Sequence, residues 1–451
     1  MNCEPPENSC GFYLKKKRRF CKFRPNMGHK FCSEHSFVMG VQLERKRIPC
    51  PLDPKHTCYE HKLSKHLKKC NENQKQQNRS VFYSEGINAG NDEGDHVPDT
   101  KVTVQNVSEE SLMHMIEKVN RLYEEHISKL ESEVLTHSCL REELENPTFG
   151  IPALRHRKQQ ASIIGHLDKL GLLKDGNCFV ELGAGKGQLS HWVQKALDKA
   201  NDVAFILVDK GNVRNKFDLQ HREGEGPVFE RLRIDIEHLN LGKHLTVSES
   251  ARPVVAMGKH LCGAATDLSL RCLLETMQPP DDDSEESAVK KPKLEKSSHL
   301  MAPAGIVIAL CCHHRCTWRA YVGKHFMRQC GFSSRDFQLL TSMSSWATCT
   351  WKGWKTLGAK TDEKIENGSV SNDLKADPEE HVIDVASSHH PELRLSEEDR
   401  EKVGRKCKRL IDYGRVKYLL DHNMDGYLRQ YIDQQLTPEN IILIARQAGN
   451  N

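Results

Sequence analysis

No run of roughly 18 or more apolar residues occurs in this 451-residue chain, which excludes a helix able to cross a bilayer. No charged-then-apolar leader opens it either. The expectation is an intracellular protein of the nucleus and/or cytoplasm, neither secreted nor membrane-bound. Hydrophobic residues make up only 37% of the chain, against an apolar content of about 45–50% in ordinary domains, so part of the length should be linker. A G-x-G-x-x-G loop is also missing, which speaks against a dinucleotide site. What remains is room for two or three domains.

Cysteine is the residue that is present in excess. Of 17 cysteines, seven fall in the first 70 residues. In an intracellular chain such clustering points to metal rather than to disulfides. Cys10, Cys21, Cys32 and His35 form C-x10-C-x10-C-x2-H, and Cys50, His56, His66 and Cys70 form C-x5-H-x9-H-x3-C. Each set offers the four ligands of a closed tetrahedral zinc site, and neither offers a carboxylate or an open position, which excludes metal catalysis there. Cys3, Cys58, His29 and His61 are competing ligands. Segments this short bury too little core to fold alone, so metal should supply their folding energy. Residues 1–70 also hold 16 Lys/Arg against 6 Asp/Glu. Two Zn²⁺ ions on five thiolates would leave that excess nearly intact, which suits a phosphate-bearing partner. The run Lys15-Lys16-Lys17-Arg18-Arg19 is its densest part, and either it or Lys290-Lys291-Pro292-Lys293 could alternatively serve as a nuclear signal.

The run Phe179-Val180-Glu181-Leu182-Gly183-Ala184-Gly185-Lys186-Gly187 joins an apolar strand to an amphipathic helix through three alternating glycines. Glycine permits the turn and lets a ligand lie against the backbone, beside the unpaired N–H groups of the helix start. Further strands are expected near 177–182, 203–208, 231–234, 253–257, 305–311, 336–341 and 441–445. Helices are expected at 158–170, from Gln188, at 266–277, 318–330 and 396–434. This alternation is that of a doubly wound α/β sheet. Before it, Leu112, Ile116, Val119, Tyr123, Ile127, Leu130 and Val134 describe one helix face, either packed on the α/β domain or paired as a coiled coil. The divisions are a C-C-C-H finger at 1–36, a C-H-H-C finger at 47–74, a linker at 75–107, a helical, coiled-coil-like segment at 108–146 and an α/β domain at 150–451, with disordered insertions at 278–301 and 358–395.

The Glu181–Gly187 pattern resembles the first motif of Rossmann-like methyltransferases, whose cofactor is S-adenosylmethionine. The two metal sets resemble the C-C-C-H and C-H-H-C fingers of the tRNA 2′-O-methyltransferases that modify the fourth nucleotide of the acceptor stem. The C-H-H-C finger also resembles one in a minor-spliceosome protein that reads a 5′ splice site. The resemblance continues through Glu181–Ser190, Val208-Asp209-Lys210, Gly258-Lys259-His260-Leu261-Cys262-Gly263, Ala309-Leu310-Cys311-Cys312-His313-His314-Arg315 and the segment Arg405–Tyr418. It implies a tRNA partner, a ribose-methylating activity, and Glu181, Gly183, Gly185, Gly187, Asp209 and Asp235 as cofactor-binding residues.

Asp209, after the second strand, suits two ribose hydroxyls of the cofactor, and Asp235 its adenine amine in the similar enzymes; each could instead cap a turn. Many 2′-O-methyltransferases of this fold use a Lys-Asp-Lys-Glu tetrad, which this chain lacks. At the carboxyl ends of strands four and five it carries Lys259-His260 and Cys312-His313-His314-Arg315. Lys259 and His260 are the first candidates for base or hydroxyl orientation; His313, with His314 and Arg315, could do the same or hold phosphate. Cys311, Cys312 and Cys316 offer a third metal set, although adjacent cysteines suit tetrahedral chelation poorly. Cys262 or Cys312 could alternatively serve as a nucleophile. The competing function is an RNA-binding or spliceosomal adaptor with a methyltransferase-like fold; a protein methyltransferase comes third, because the basic N-terminus suits it less.

Overall fold

In the computed structural model the chain forms two compact units, Met1–Val81 and Phe82–Asn451. The structure describes residues 5–14 (without 7), 19–41 (without 26–27), 46–70, 81–277 (without 93, 99, 199, 201, 212, 214–216, 218–226 and 249–251), 302–348 and 395–449. Among these residues no helix is long and apolar enough to cross a membrane.

The first unit holds two small hairpins, each followed by a short helix. β1 (Cys10–Leu14) pairs with β2 (Arg19–Cys21) ahead of a helix at Ser33–Val38. β3 (Arg47–Cys50) pairs with β4 (Asp53–Tyr59) ahead of a helix at Leu63–Lys69. One carboxylate joins the two halves. Glu34 pairs with Arg47 and accepts hydrogen bonds from Thr57 N (3.1 Å) and Thr57 Oγ1 (3.0 Å), while Tyr59 Oη donates to Ser33 Oγ (2.9 Å). The buried cluster of the first half is little more than Cys10, Cys21 and Cys32, as the scarcity of apolar residues requires.

The second unit is built on a seven-stranded sheet of order β10-β11-β9-β8-β5-β6-β7. β5 (Cys178–Leu182), β6 (Ala204–Val208), β7 (Val228–Leu232), β8 (Val254–Cys262) and β9 (Gly305–Cys311) are parallel, while β10 (Met424–Gln430) and β11 (Ile441–Gln447) run antiparallel at one edge. β5, β6 and β9 are buried at every position because helices cover both faces. On one face lie the helices Ile151–Lys169 and Gln188–Ala196, and on the other Ala264–Glu275 and Glu397–Asp421. Strand order reverses between β5 and β8, and the crevice at their carboxyl ends is where such sheets bind ligands.

Several expectations need correction. Residues 336–341 lie in a helix, Ser334–Ser344, started by a capping box between Ser333 and Asp336. The helical stretch expected over 396–434 is one helix that stops at Asp421; Asn423 takes a left-handed φ of 58° and the chain returns as β10. The helix expected over 318–330 is confined to Lys324–Gln329. The single helix expected over 108–146 ends at His126; beyond it, Gln430 of β10 bonds to Glu131 O and Glu133 N, and a short helix follows at Arg141–Glu145. Its buried face, Leu112, Met115, Ile116, Val119 and Leu122, packs on Cys407, Leu410 and Ile411 of the C-terminal helix, so the intramolecular alternative to a coiled coil holds.

The described part of the expected linker is a strap on the second unit. Asn88 Nδ2 donates to Ile236 O and Leu239 O (2.6 and 2.7 Å), Val102 N to Gln338 Oε1 (2.8 Å), and Trp318 Nε1 to Asp95 Oδ2 (2.8 Å). Its composition is polar because backbone and amide hydrogen bonds hold it, with few apolar contacts. The expected insertions 278–301 and 358–395 lie outside the described residues, apart from Leu395.

A buried ionic cluster ties the C-terminal helix to the sheet. Arg415 donates to both oxygens of Asp267 (3.0 and 2.7 Å) and to Asp412 Oδ1 (3.2 Å). Asp412 also receives Arg409 (2.9 Å) and lies 2.6 Å from His313 Nε2. Asp267, Asp412 and Arg415 are all 0% exposed. Removing one partner of such a pair strands the others: Arg415→Met should lower unfolding free energy by about 3–5 kcal/mol. Urea denaturation would check this, and the Arg415→Met/Asp267→Leu double variant should regain part of the loss.

Candidate functional site

The three glycines after β5 adopt left-handed backbone: φ is 65° at Gly183, 49° at Gly185 and 77° at Gly187. A Cβ at Gly183 would fall 3.0 Å from Leu261 Cδ2 and 3.1 Å from His260 O, whereas nothing lies within 4 Å of one at Gly185. The loop is therefore packed beneath and open above, a cradle a ligand can fill. Glu181 does not face that opening. Its Oε2 accepts from Ser190 N (3.0 Å) and Ser190 Oγ (2.5 Å), tying the strand end to the helix start. Burial pushes its carboxyl up to about 7.

Asp209 ends the neighbouring strand. Its oxygens accept from Gly185 N (2.7 Å) and Gly211 N (2.6 Å), so the acid and the glycine cradle form one rim. Arg231 braces the same loop by donating to Gly185 O (2.8 Å). Asp235 caps a short turn through Glu237 N (3.2 Å) and meets Lys210 Nζ at 3.3 Å. The cradle, its open space and Asp209 fit S-adenosylmethionine, for which Gly183, Gly185, Gly187 and Asp209 would be the holding residues.

Across the switch point, β8 and β9 fall out of step: Gly258 opposes Ile308 but Leu261 opposes Leu310. One extra residue on β8 makes a bulge at Lys259–His260, a device that re-aims side chains beside active sites. Lys259 Nζ lies 3.0 Å from His156 Nδ1, on the helix Ile151–Lys169, and the His156 and His260 rings are 6.2 Å apart. Burial, then the cations Lys259 and Arg155, lower His156 to about 3. Burial, followed by Lys259, holds His260 well below the usual imidazole range. Both rings are thus neutral near pH 7. Lys259 carries only donors, so His156 Nδ1 accepts and its proton sits on Nε2. The pocket combines positive charge with neutral imidazoles, an arrangement that favours an anionic oxygen. His156 and Arg155 were not foreseen. Their signal was faint: Arg155 is one of several polar residues, with Gln159, Gln160, Ser162 and His166, on the buried face of their helix.

The turn after β9 divides its residues differently. His313 is 1% exposed and held by Asp412, turned into the interior. Arg315 is exposed and His314 half-buried. Cys316 does not join Cys311 and Cys312; its sulfur accepts from Arg415 (3.2 Å). The cysteines that meet are Cys262, Cys311 and Cys312. Hydrogen bonding with Cys262 raises both the Cys311 and the Cys312 thiols, which disfavours Cys312 as a thiolate nucleophile.

In the first unit both four-ligand sets assemble as expected from their spacing, and neither includes Cys58, His29 or His61; Cys3 lies outside the described residues. Tetrahedral zinc, with bonds of about 2.3 Å to sulfur and 2.0 Å to nitrogen, sets its thiolates about 3.8 Å apart and its imidazole nitrogens about 3.3 Å apart. Cys50 and Cys70 sulfurs are 3.8 Å apart, and the Nε2 atoms of His56 and His66 3.3 Å. In the other set His35 Nδ1 lies 3.4 Å from Cys10 Sγ and 3.3 Å from Cys32 Sγ. Both sites fit zinc.

Comparison with known proteins agrees with this layout. Residues 158–446 match the family "Methyltransferase TRM13", residues 8–36 the "CCCH zinc finger in TRM13 protein" and residues 47–71 the "U11-48K-like CHHC zinc finger". The chain is 43% identical to the tRNA:m(4)X modification enzyme TRM13 homolog of Homo sapiens and 41% identical to that of Mus musculus, in each case over 98% of this chain and 95% of the relative. The tRNA:m(4)X modification enzyme TRM13 of Schizosaccharomyces pombe is 32% identical over 91% of this chain and 98% of its own length.

Metal analysis of a fragment comprising residues 1–81 should return two zinc ions, and strong chelator should abolish its circular-dichroism signal, because little apolar core remains without metal. For Glu181, the carboxyl is raised in the folded state from 4.5 to about 7. The stability of its neutral form is therefore present below about pH 4.5 and lost as pH rises to about 7, a change of roughly 3 kcal/mol. Urea midpoints across that range should slope less in Glu181→Gln than in the parent chain.

Proposed function

The chain belongs to the TRM13 methyltransferase family, in which zinc fingers precede a methyltransferase domain, and from that premise we propose that it transfers a methyl group from S-adenosylmethionine to the ribose 2′-hydroxyl at position 4 of a tRNA acceptor stem. The observation that carries this reading is the juxtaposition of an open glycine cradle with Asp209 on one side of the switch point and the Lys259–His156 pair on the other.

The cofactor brings an electrophilic methyl group on a sulfonium. Asp209 would accept hydrogen bonds from its ribose hydroxyls, and the cradle would let it approach the backbone. A ribose hydroxyl is a poor nucleophile until its proton is drawn away. Lys259, braced by neutral His156, donates to that oxygen and stabilises the negative charge that develops on it. His260, also neutral, offers a nitrogen to the leaving proton. Because burial, and after it Lys259, holds its affinity for protons low, Lys259 supplies the larger share. Asp235, occupied by its turn and Lys210, shapes the crevice edge, from which it would meet the adenine amine of a bound cofactor. The two zinc fingers and their surplus of basic residues grip the RNA by its phosphates. Of the basic run, residues 15–18 lie outside the described residues, and Arg19 begins β2.

Asp209→Ala should weaken S-adenosylmethionine binding by about 1.5–3 kcal/mol, roughly 10- to 150-fold. Lys259→Ala should leave cofactor affinity near normal and slow single-turnover methylation about 10²–10⁴-fold. Isothermal titration and nucleoside mapping of the methylated tRNA measure both. Methyl found on a base would overturn the ribose assignment, and full turnover by Lys259→Ala would remove the charge-stabilising role.

A further inference from the structure

The carboxyl ends of β8 and β9 carry three cysteines that no step above uses. Cys262 and Cys311 are register partners on adjacent strands, and their sulfurs are 3.6 Å apart. With Cys312, all three sulfurs lie within 4.8 Å of one another. Successive residues on a strand point to opposite faces, so Cys311 and Cys312 should diverge. They converge because Cys312 leaves the strand with φ 51° and ψ 43°, left-handed values that swing its side chain back. A non-glycine residue keeps that conformation only where its surroundings impose it, and such positions cluster at functional sites. The surroundings are close. A Cβ on Gly263 would fall 2.5 Å from Arg315 Cβ, so the turn after β8 is pressed onto the turn after β9.

We propose that Cys262, Cys311 and Cys312 form a third metal centre, which binds Zn²⁺ through three thiolates. The sulfur separation of 3.6 Å is close to the roughly 3.8 Å that tetrahedral zinc sets between thiolates. Sequence spacing pointed to Cys316 for this set, but that sulfur is committed to Arg415; Cys262 takes its place from the other strand. Zinc here would clamp the two turns together two residues beyond the Lys259–His260 bulge, and so hold the pocket's rim without touching substrate.

The proposal does not rest on the methyl-acceptor reading, since the metal is counted without cofactor or RNA. Native mass spectrometry of the full chain should find three zinc ions, two from the fingers and one from this centre. The Cys262→Ser/Cys312→Ser double variant should lose one of the three. In the parent chain, half-buried Cys262 and Cys312 should resist alkylation until a chelator is added. Two zinc ions in the parent chain, or three retained in the double variant, would overturn the assignment. So would a Cys262–Cys311 or Cys262–Cys312 disulfide in the metal-replete protein. If the double variant does not fold, the parent-chain count and its alkylation pattern decide the matter.

Discussion

The rim of the candidate site depends on one buried ionic cluster. Asp267 follows β8 by five residues, His313 follows β9 by two, and Asp412 and Arg415 come from the C-terminal helix. Their hydrogen bonds fix the two turns that border the pocket relative to each other. Burying charges costs free energy, and apolar residues of the same volume would often hold a helix as well or better. What the charges add is direction: Arg415 has a fixed fork that matches the Asp267 carboxylate at both oxygens. The turns are thereby held in register, and with them Lys259, His260 and the cysteine triad.

The zinc-finger unit solves a different problem. It is basic, short and poor in apolar residues, so no oily core can order it. Metal ligation substitutes for that core, and Glu34 then joins the two fingers through Arg47 and Thr57, next to ligands of both sites. This is a compact way to present positive charge on a rigid support. The α/β unit keeps its own positive charge for a small pocket, where burial, and after it Lys259, holds two imidazoles neutral. The proposed phosphate recognition and the proposed stabilisation of a ribose oxygen thus draw on cations in separate settings, one screened by solvent and one shielded from it.

Some features were legible in the chain itself, because they are local. The eight finger ligands follow from spacing, since a tetrahedral ion fixes how many donors a short segment must bring. The glycine loop follows too: three left-handed backbone positions in a row of alternating residues admit little else. Buried parallel strands announce themselves as unbroken apolar runs, and β5, β6, β8 and β9 were found that way, as was β11 near the edge, whereas the strand expected at 231–234 overlaps the half-exposed β7 only at Arg231 and Leu232. β10 escaped, since its Met-Asp-Gly-Tyr-Leu-Arg-Gln pattern is half-exposed edge strand, and only Asn423 marked the stop before it.

Other features no residue pattern could decide, because they arise where distant segments meet. The bulge that aims Lys259 and His260 exists only as a mismatch between β8 and β9. His156 joins Lys259 across a sequence separation of 103 residues. His313 reads as a catalytic candidate beside His314, yet Asp412 draws it inward from 99 residues away. Cys316 and Cys262 exchange expected roles for the same reason: a buried guanidinium claims one sulfur, and a left-handed turn brings Cys312 to the other. Sequence determined which chemistries were on offer, since each requires particular atoms. Tertiary structure decided which of them face one another, since hydrogen bonding and ligation act over a few ångströms of space, whatever the separation along the chain.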